Sequence, residues 1–266
     1  GRALQRGNVQ TYRCPNYLLS SAQYYHPGEF GGQQHLWHAF LPGGVSVFGT
    51  HPGESRFRSD GRPVAPSRWV GNGINPAIGQ HDNVLLVSYD LTGRGGYLEG
   101  ERQHYAHLYV PFVQFDETRM GVHWMAGRRG ASYLGIIGLP ALELVSETEI
   151  VLRRDHPGYM VVLSDEEEAT SLRDFIRQLR MMILSRQGDE LRLTTPYGRY
   201  VLSPRGLRVA GVHQDLQYPR YDCTFASVPR NPSHMDIRGV GHMLTLDWPG
   251  ATRTEDVIPA QEIGTP

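Results

Sequence analysis

The chain of 266 residues contains no lysine, and all 26 of its basic residues are arginines. Two interpretations fit this bias. A GC-rich genome would produce it through codon usage, and a site that clamps carboxylates would favour it because guanidinium binds carboxylate in a planar, bidentate geometry. The 27 acidic residues leave a formal net charge of −1. This balance gives no electrostatic reason to expect nucleic acid or an anionic membrane as a partner.

Several other features are missing from the sequence. No stretch approaches the roughly 18 consecutive apolar residues of a membrane-spanning helix, so no membrane span is predicted. The sequence also lacks a Gly-x-Ser-x-Gly elbow, a Walker loop and a Gly-x-Gly-x-x-Gly turn after a strand. These absences remove the usual sequence signals of α/β-hydrolases, P-loop NTPases and dinucleotide-binding domains.

Cysteine is scarce, and Cys14 and Cys223 are not in a metal-binding spacing. They are interpreted either as two independent buried thiols or as one disulfide, which would require an oxidising compartment. The first residues do not resemble a signal peptide, and we expect the chain to be a segment of a longer protein. Localisation is therefore left open, although a secreted or periplasmic location is favoured if the protein acts on polymeric glycans.

Glycine and proline, at 31 and 18 residues, punctuate short apolar runs along the whole chain. This pattern is typical of an all-β protein with many turns. No change in composition marks a domain boundary, so we predict one large, layered antiparallel β-sandwich (supersandwich-like) over residues 1–266. Strands are predicted at 17–25, 34–41, 45–49, 84–89, 105–113, 122–126, 133–137, 149–152, 159–163, 190–195, 200–203, 207–209 and 243–248.

One short helix is predicted over 171–183, where apolar residues recur at i, i+3, i+4 and i+7. Thr170 or Ser171 is the candidate N-cap. The acidic run just before the helix suits a helix N-terminus and is interpreted as a solvated face.

The segment that carries most functional information begins at Gly28 and runs into the predicted strand 34–41. Alternation along an extended strand would place Gln33, His35 and Trp37 on one face. An amide, an imidazole and an indole in a row can grip a sugar ring, act on a proton or bind a metal. A strand that only fills a core would more often carry Val and Ile at these positions.

Two further clusters are candidates for ligand binding. At the end of a long polar loop, Arg68, Trp69 and Asn72 would suit a glycan site, where an indole stacks on a sugar face and Arg or Asn binds its polar edge. Asn72 lies between two glycines, so it is equally well read as a left-handed turn residue. In the predicted strand 105–113, His107 and Tyr109 share one face.

A metal site is the third candidate. His35, His51 and His107 supply imidazole, which zinc takes as a ligand. These residues are not in a tight ligand spacing, so such a site depends on their proximity in the fold. The candidate cofactor is a structural zinc or calcium ion, and none is certain from the sequence.

Several short motifs occur in order between residues 17 and 222. They are Leu18-Leu-Ser-Ser-Ala-Gln-Tyr-Tyr-His-Pro-Gly-Glu, Gln33-Gln-His-Leu-Trp-His-Ala, Thr50-His-Pro-Gly, Trp69-Val-Gly-Asn-Gly and Tyr218-Pro-Arg-Tyr-Asp222. Together they resemble the C-terminal β-sandwich portion of heparinase II/III-like proteins, a bacterial group of polysaccharide lyases. Each motif is short, and their order carries the resemblance.

The resemblance implies an N-terminal α/α toroid domain or chain as a partner, with the active cleft between toroid and sandwich. It implies an acidic polysaccharide or oligosaccharide as substrate, with one catalytic His and sometimes a structural metal on the sandwich side. In this group the equivalent strand begins with His-x-His, whereas this sequence has Gly31-Gly-Gln-Gln. Either His35, the nearest imidazole, takes over the role or the chemistry differs.

Two functions are therefore open. In a β-eliminating uronate lyase, His35 would be the base or the carboxylate neutraliser, Asn72 and Arg68 would orient the substrate, and His107 or Tyr109 would come next. The alternative is a non-catalytic carbohydrate-binding or structural sandwich. In that case Trp37 and Trp69 matter most, and His35 is a packing residue.

Overall fold

The chain divides into two compact units, Gly1–Gln214 (unit 1) and Asp215–Pro266 (unit 2). The computed structural model describes residues 7–29, 31–52, 69–92, 103–216, 221–223, 225–228, 233–239 and 241–257. The division near residue 214 has no counterpart in composition, which predicted a single domain over 1–266. Each unit is described by itself.

The described residues form 23 β-strands in antiparallel sheets and one α-helix, which confirms the predicted all-β class. The strands of unit 1 are β1 (Asn8–Arg13), β2 (Leu18–Gln23), β3 (Trp37–Leu41), β4 (Val45–Thr50), β5 (Ala77–His81), β6 (Val84–Ser88), β7 (Tyr105–Tyr109), β8 (Glu117–Met120), β9 (Trp124–Arg129), β10 (Ser132–Leu139), β11 (Glu143–Ser146), β12 (Glu149–Arg153), β13 (Gly158–Asp165), β14 (Ile183–Gln187), β15 (Glu190–Thr195), β16 (Gly198–Ser203), β17 (Gly206–Val209) and β18 (Val212–His213).

Two sheets of unit 1 form the predicted sandwich. The first sheet has the order β1-β2-β3-β4-β7-β12-β11, and the second has the order β5-β6-β13-β10-β9-β8. One face of each is apolar, because alternate residues such as Leu19 and Val47 in the first sheet, and Leu85 and Ile136 in the second, meet in one buried cluster. Burial of these two faces against each other is the main source of stability for this architecture.

The second sheet is also covered on its other face. There Leu86, Tyr133 and Met160 pack against the helix α1 (Leu172–Leu179) and against a third sheet of order β14-β15-β16-β17-β18. A sheet buried on both faces needs nearly continuous apolar strands. This explains the run Val84-Leu-Leu-Val in β6, of which all four residues are buried.

Helix α1 is shorter than predicted. Ser171 is its N-cap, since its hydroxyl accepts a hydrogen bond from the Asp174 amide, while the Thr170 amide and hydroxyl donate back to the Asp174 carboxylate. The helix ends at Leu179, not at residue 183 as the spacing suggested. Ile183 instead begins strand β14, where it is 63% exposed. The apolar residue at 183 therefore matches the helical spacing without being part of the helix.

Unit 2 contains a fourth sheet of order β19-β20-β21-β22-β23. Its strands are β19 (Tyr221–Cys223), β20 (Ala226–Val228), β21 (His234–Gly239), β22 (His242–Asp247) and β23 (Thr252–Val257). Each strand pairs with the next along the chain, so the sheet is an antiparallel meander. The strand predicted over 243–248 corresponds to β22.

Cys14 carries a free, half-buried thiol in unit 1. Its sulfur lies 3.9 Å from an oxygen of the Asp165 carboxylate. Within the described ranges, no helix combines the length and apolar character needed to cross a membrane.

Candidate functional site

The strand predicted over 34–41 is β3, which begins three residues later than predicted, at Trp37. The side chain of Trp37 faces the sandwich core and is 1% exposed. Its indole N–H donates a hydrogen bond of 2.9 Å to the Tyr159 hydroxyl, and Gly49 leaves the space, because a Cβ there would collide with that hydroxyl. The prediction that Trp37 binds substrate is corrected, since its ring has no surface for a ligand.

His35 lies before the strand and is not part of it, so strand alternation does not govern its direction. Its ring lies on the outward side of the first sheet and not beside Trp37. It stacks on Phe48, with centroids 4.2 Å apart, and its Nδ1 is 3.1 Å from His38 Nε2. His35 is half-buried, and both of its ring nitrogens have hydrogen-bonding partners.

The two histidines belong to one directed chain of hydrogen bonds. A carbonyl oxygen only accepts, so His35 Nε2 donates to the Trp69 carbonyl at 2.6 Å. With a neutral ring, His35 Nδ1 then accepts from His38 Nε2, and His38 Nδ1 accepts from the Ser46 hydroxyl at 3.2 Å. Burial, with His35 as the next cause, lowers the pKa of His38 to about 4, so this ring is neutral at pH 7.

Further aromatic rings lie next to these histidines on the outward side of the first sheet. The indole of Trp69 lies flat on the imidazole of His107, with centroids 3.8 Å apart and planes 7° apart. Trp69 also meets Tyr109 edge to face, and Tyr109 stacks on Phe48 at 5.0 Å. We call this set the aromatic face: His35, His38, Phe40, Phe48, Trp69, Tyr105, His107 and Tyr109. All of its rings except His107 are at least partly exposed.

Beneath Trp69 lies a buried polar network that spans three neighbouring strands. His107 on β7 is directly opposite Thr50 on β4, and its Nε2 is 2.7 Å from the Thr50 hydroxyl. Its Nδ1 donates to the Glu149 carboxylate on β12 at 2.8 Å. The three residues are 0%, 0% and 5% exposed for His107, Thr50 and Glu149. The arrangement fixes the orientation of the ring on which Trp69 stacks.

Asn72 is completely buried and joins two loops to a strand end. Its side-chain oxygen accepts from the His51 amide at 3.0 Å and from the Tyr89 hydroxyl at 3.2 Å, and its amide donates to the Gln34 carbonyl at 3.1 Å. His51 accepts from the Ile74 amide at Nδ1 and therefore donates from Nε2. These contacts hold the segments before His35 and after Trp69 in a fixed arrangement.

Two glycines allow these segments to touch. Gly71 has a φ of +100°, and a Cβ on it would strike the Gly32 carbonyl oxygen. A Cβ on Gly31 would likewise strike the Asn72 carbonyl oxygen. The left-handed residue of this loop is Gly71 and not Asn72, which corrects the turn interpretation of Asn72.

The structure does not assemble His35, His51 and His107 into a metal centre. Among the described residues, no group of three or more His, Cys, Asp and Glu side chains is arranged to hold a metal ion. The ring nitrogens of the three histidines are hydrogen-bonded to protein groups, His51 to the Ile74 amide and the Gln103 carbonyl. Zinc at these positions would have to replace those bonds.

Gln33 is exposed in the loop before β3. Arg68 lies outside the described residues. Sequence reasoning assigned no site role to Phe48 or Glu149, although an acidic residue at the start of a buried strand is a signal for Glu149. The contribution of Phe48 depends on the pairing of β4 with β7, for which the sequence carries no local signal.

Comparisons of the chain with protein-family models, with curated proteins and with solved structures found no match. The fold and the site define an antiparallel β-sandwich that displays a continuous row of aromatic rings on one sheet.

Proposed function

We propose that the aromatic face binds an acidic polysaccharide or oligosaccharide. The observation that carries the proposal is the continuity of the rings: Trp69, Tyr109 and Phe48 contact one another directly, and each is partly exposed. Sugar rings present C–H faces that pack on aromatic rings, and Tyr, His and Trp edges offer hydrogen-bonding groups to hydroxyls. A sheet surface also holds such rings in place at little cost in conformational entropy.

The charge near the face supports an acidic ligand. The Arg153 guanidinium lies 5.2 Å from the centroid of the Tyr105 ring, directly opposite it on the neighbouring strand. Arg153 also pairs with Glu143, and both side chains are about half exposed. An exposed ion pair of this kind is weak, so a ligand carboxylate competes for the guanidinium at small cost.

The experiment measures the affinity of the chain for uronic-acid polysaccharides by affinity electrophoresis and titration calorimetry. Trp69→Ala and Tyr109→Ala are expected to weaken binding at least about tenfold, on the scale of one or two lost stacking contacts. Tyr197→Ala is the matched control, because Tyr197 is 81% exposed on the third sheet. Equal affinity of all three variants and the parent chain would reject the proposal.

A second candidate function is catalysis: the aromatic face would form the sandwich wall of a uronate lyase cleft, completed by an α/α toroid in a longer protein. The observation that favours it is the chain Ser46–His38–His35, in which hydrogen bonds link two imidazoles at a partly exposed surface. A proton that enters this chain at the Ser46 end can be passed through His38 to His35 as the two hydrogen bonds reverse direction. β-Elimination requires a base of this kind for the C5 proton of a uronate.

Catalysis is tested separately from binding. The full-length parent protein and its His35→Ala variant are incubated with uronic-acid polymers, and the ultraviolet absorbance of the unsaturated product is followed. The lyase candidate predicts product formation by the parent and a large loss in the variant. Equal rates would remove His35 as a catalytic residue, and absence of product from every uronate polymer would count against lyase activity while leaving glycan binding intact.

A further inference from the structure

A cleft of about 390 Å³ opens in unit 1, and none of the aromatic-face residues lines it. Its walls come from the turn after β2, the start of β5, the end of β6, the turn before β13, the β14–β15 hairpin and the β16–β17 turn. This volume lies within the range of about 300–1,000 Å³ that small-molecule sites occupy. The convergence of six segments makes the cleft a product of the tertiary fold.

One wall of the cleft contains the partly buried guanidinium of Arg186. Arg186 is half-buried, and one terminal nitrogen donates to the Ser88 hydroxyl at 2.9 Å. Its Nε is buried without a hydrogen-bonding partner, and it forms no ion pair with any carboxylate of the described residues. By contrast, the half-buried arginines Arg129 and Arg192 each pair with a carboxylate at 2.9 Å or less.

This arrangement is costly unless a ligand completes it. Burial, and next the nearby Arg154, lower the pKa of Arg186, and attraction to Asp189 and Asp90 opposes this in part. Arginine stays protonated at neutral pH. A partly desolvated positive charge with an unpaired N–H raises the free energy of the folded chain, and a bound anion would lower it again. Gly158 provides part of the space, since a Cβ there would lie 3.0 Å from the guanidinium.

The mouth of the cleft has the opposite character. Asp90 and Asp189 are exposed carboxylates at its edge. Although burial opposes it, hydrogen bonds from the Thr92 hydroxyl and amide lower the pKa of Asp90 and keep it ionised. His156 lies 3.4 Å from the same carboxylate. Hydrogen-bond acceptors therefore stand at the mouth, above apolar walls that include Ala77 and Leu202.

We propose that this cleft binds a small hydroxylated carboxylic acid of about the size of one sugar ring. The carboxylate reaches Arg186, which offers planar, charge-assisted donors. The hydroxyl groups at the other end donate to Asp90 and Asp189, and the ring packs on the apolar walls. The proposal concerns a second site and does not depend on glycan binding by the aromatic face.

Three probes with six-membered rings separate these contributions in titration calorimetry. Sodium D-glucuronate has both the carboxylate and the hydroxyls, cyclohexanecarboxylate has only the carboxylate, and D-glucose has only the hydroxyls. The expected order of affinity is glucuronate, then cyclohexanecarboxylate, then glucose. Glucose binding as tightly as glucuronate, or no heat from either acid in the millimolar range, would overturn the proposal.

Variants locate the site. Arg186→Gln is expected to weaken glucuronate binding by about tenfold or more, the loss of a charge-assisted hydrogen bond. Asp90→Asn is expected to reduce the preference for glucuronate over cyclohexanecarboxylate. Arg199→Gln is the matched control, because Arg199 is an exposed arginine on the same sheet. Unchanged affinity in Arg186→Gln, or an equal loss in Arg199→Gln, would contradict the assignment.

Two measurements keep the test independent of folding and of the aromatic face. The melting temperature of Arg186→Gln is expected to equal or exceed that of the parent chain, because the variant removes an unpaired charge. Ala77→Phe keeps Arg186 and fills the cleft, so it should abolish glucuronate binding by steric exclusion. Retained glucuronate binding in Ala77→Phe would place the acid outside this cleft and would overturn the assignment.

Discussion

His107 donates a hydrogen bond of 2.8 Å to Glu149, and the two side chains are buried on neighbouring strands of the first sheet. The pair orients the imidazole on which Trp69 stacks. Removing the acceptor of a buried hydrogen bond costs the desolvation free energy of the donor that it satisfied. The stability of unit 1 and the geometry of the aromatic face are therefore linked through Glu149.

Glu149→Ala is expected to lower the free energy of unfolding by about 2–3 kcal/mol, because the buried His107 N–H loses its carboxylate acceptor. Glu149→Gln keeps the shape and a hydrogen-bonding oxygen, so its loss should be smaller. Urea unfolding of the isolated chain measures both. Glu143→Ala is the control, because Glu143 forms an exposed pair with Arg153 and should cost under about 1 kcal/mol. Similar losses at positions 143 and 149 would show that the buried network has no special weight.

Asn72→Ala should destabilise the chain by about 3 kcal/mol, since it leaves the His51 amide, the Tyr89 hydroxyl and the Gln34 carbonyl without their partner. Thermal and urea unfolding measure the loss. Asn83→Ala is the comparison, because the Asn83 side chain makes one hydrogen bond to the Leu163 carbonyl and should cost about 1 kcal/mol. Unchanged stability in Asn72→Ala would show that these three hydrogen bonds contribute little to the fold.

Substitutions of Trp37 and Trp69 are expected to have opposite effects: the first on stability and the second on glycan affinity. Trp37→Phe should reduce stability by about 1–3 kcal/mol, because the buried Tyr159 hydroxyl loses a donor, and glycan affinity should not change. Trp69→Phe should weaken glycan binding and change stability less. Measuring unfolding and affinity for both variants tests the pair. Weaker glycan binding in Trp37→Phe at full stability would contradict the placement of Trp37 in the core.

The stability of unit 1 should depend on the protonation of His38. Burial and His35 lower the pKa of His38 to about 4, against about 6.5 in an unfolded chain. Between these values the unfolded chain binds more protons, so stability falls as pH falls. The contribution of His38 is fully present above about pH 6.5 and is lost on approach to about pH 4. After discounting for partial exposure, it amounts to about 1–2 kcal/mol.

His38→Gln isolates this contribution from that of the carboxylates. Its unfolding free energy should fall less than that of the parent chain between about pH 7 and about pH 4.5. His123→Gln is the control, because His123 is exposed and lies outside the hydrogen-bonded chain of His35 and His38. A parallel pH dependence of the parent and His38→Gln would show that His38 titrates normally in the fold.

Many strands could be predicted from the sequence. A strand that buries one face has alternating apolar residues, and a strand that buries both faces has a continuous apolar run. The run Val84-Leu-Leu-Val predicted β6 correctly. Strands without such an apolar pattern were missed. Strand β11 (Glu143–Ser146) is exposed along its whole length, so no apolar alternation marks it. In β5, the buried Gln80 is satisfied by the Leu19 and Asp82 carbonyls, and such a partner cannot be read from local sequence.

The aromatic face was only partly predictable. His35 was selected as an unusual residue for a core strand, Trp69 as a stacking residue at the end of a polar loop, and His107 and Tyr109 as polar aromatic residues on one strand face. The structure brings these four together. We predicted that His35 and Trp37 share a strand face because both were assigned to one strand. That strand begins only at Trp37. Its start is set by backbone pairing, which the sequence does not reveal. The catalytic and substrate-binding roles assigned to these residues stay predictions.

The contact between Gly71 and Gly32 gives the site a property that its side chains do not reveal. The backbones of the two loops are in direct contact, and the His35 ring is bonded to the Trp69 carbonyl, so the positions of His35 and Trp69 depend on each other. Enlarging a ring would alter the surface locally. Adding a single methyl group at Gly71 would separate the loops and disperse the rings while leaving every ring chemically intact. Recognition by this face would thus be most sensitive to substitution at a residue that no ligand touches.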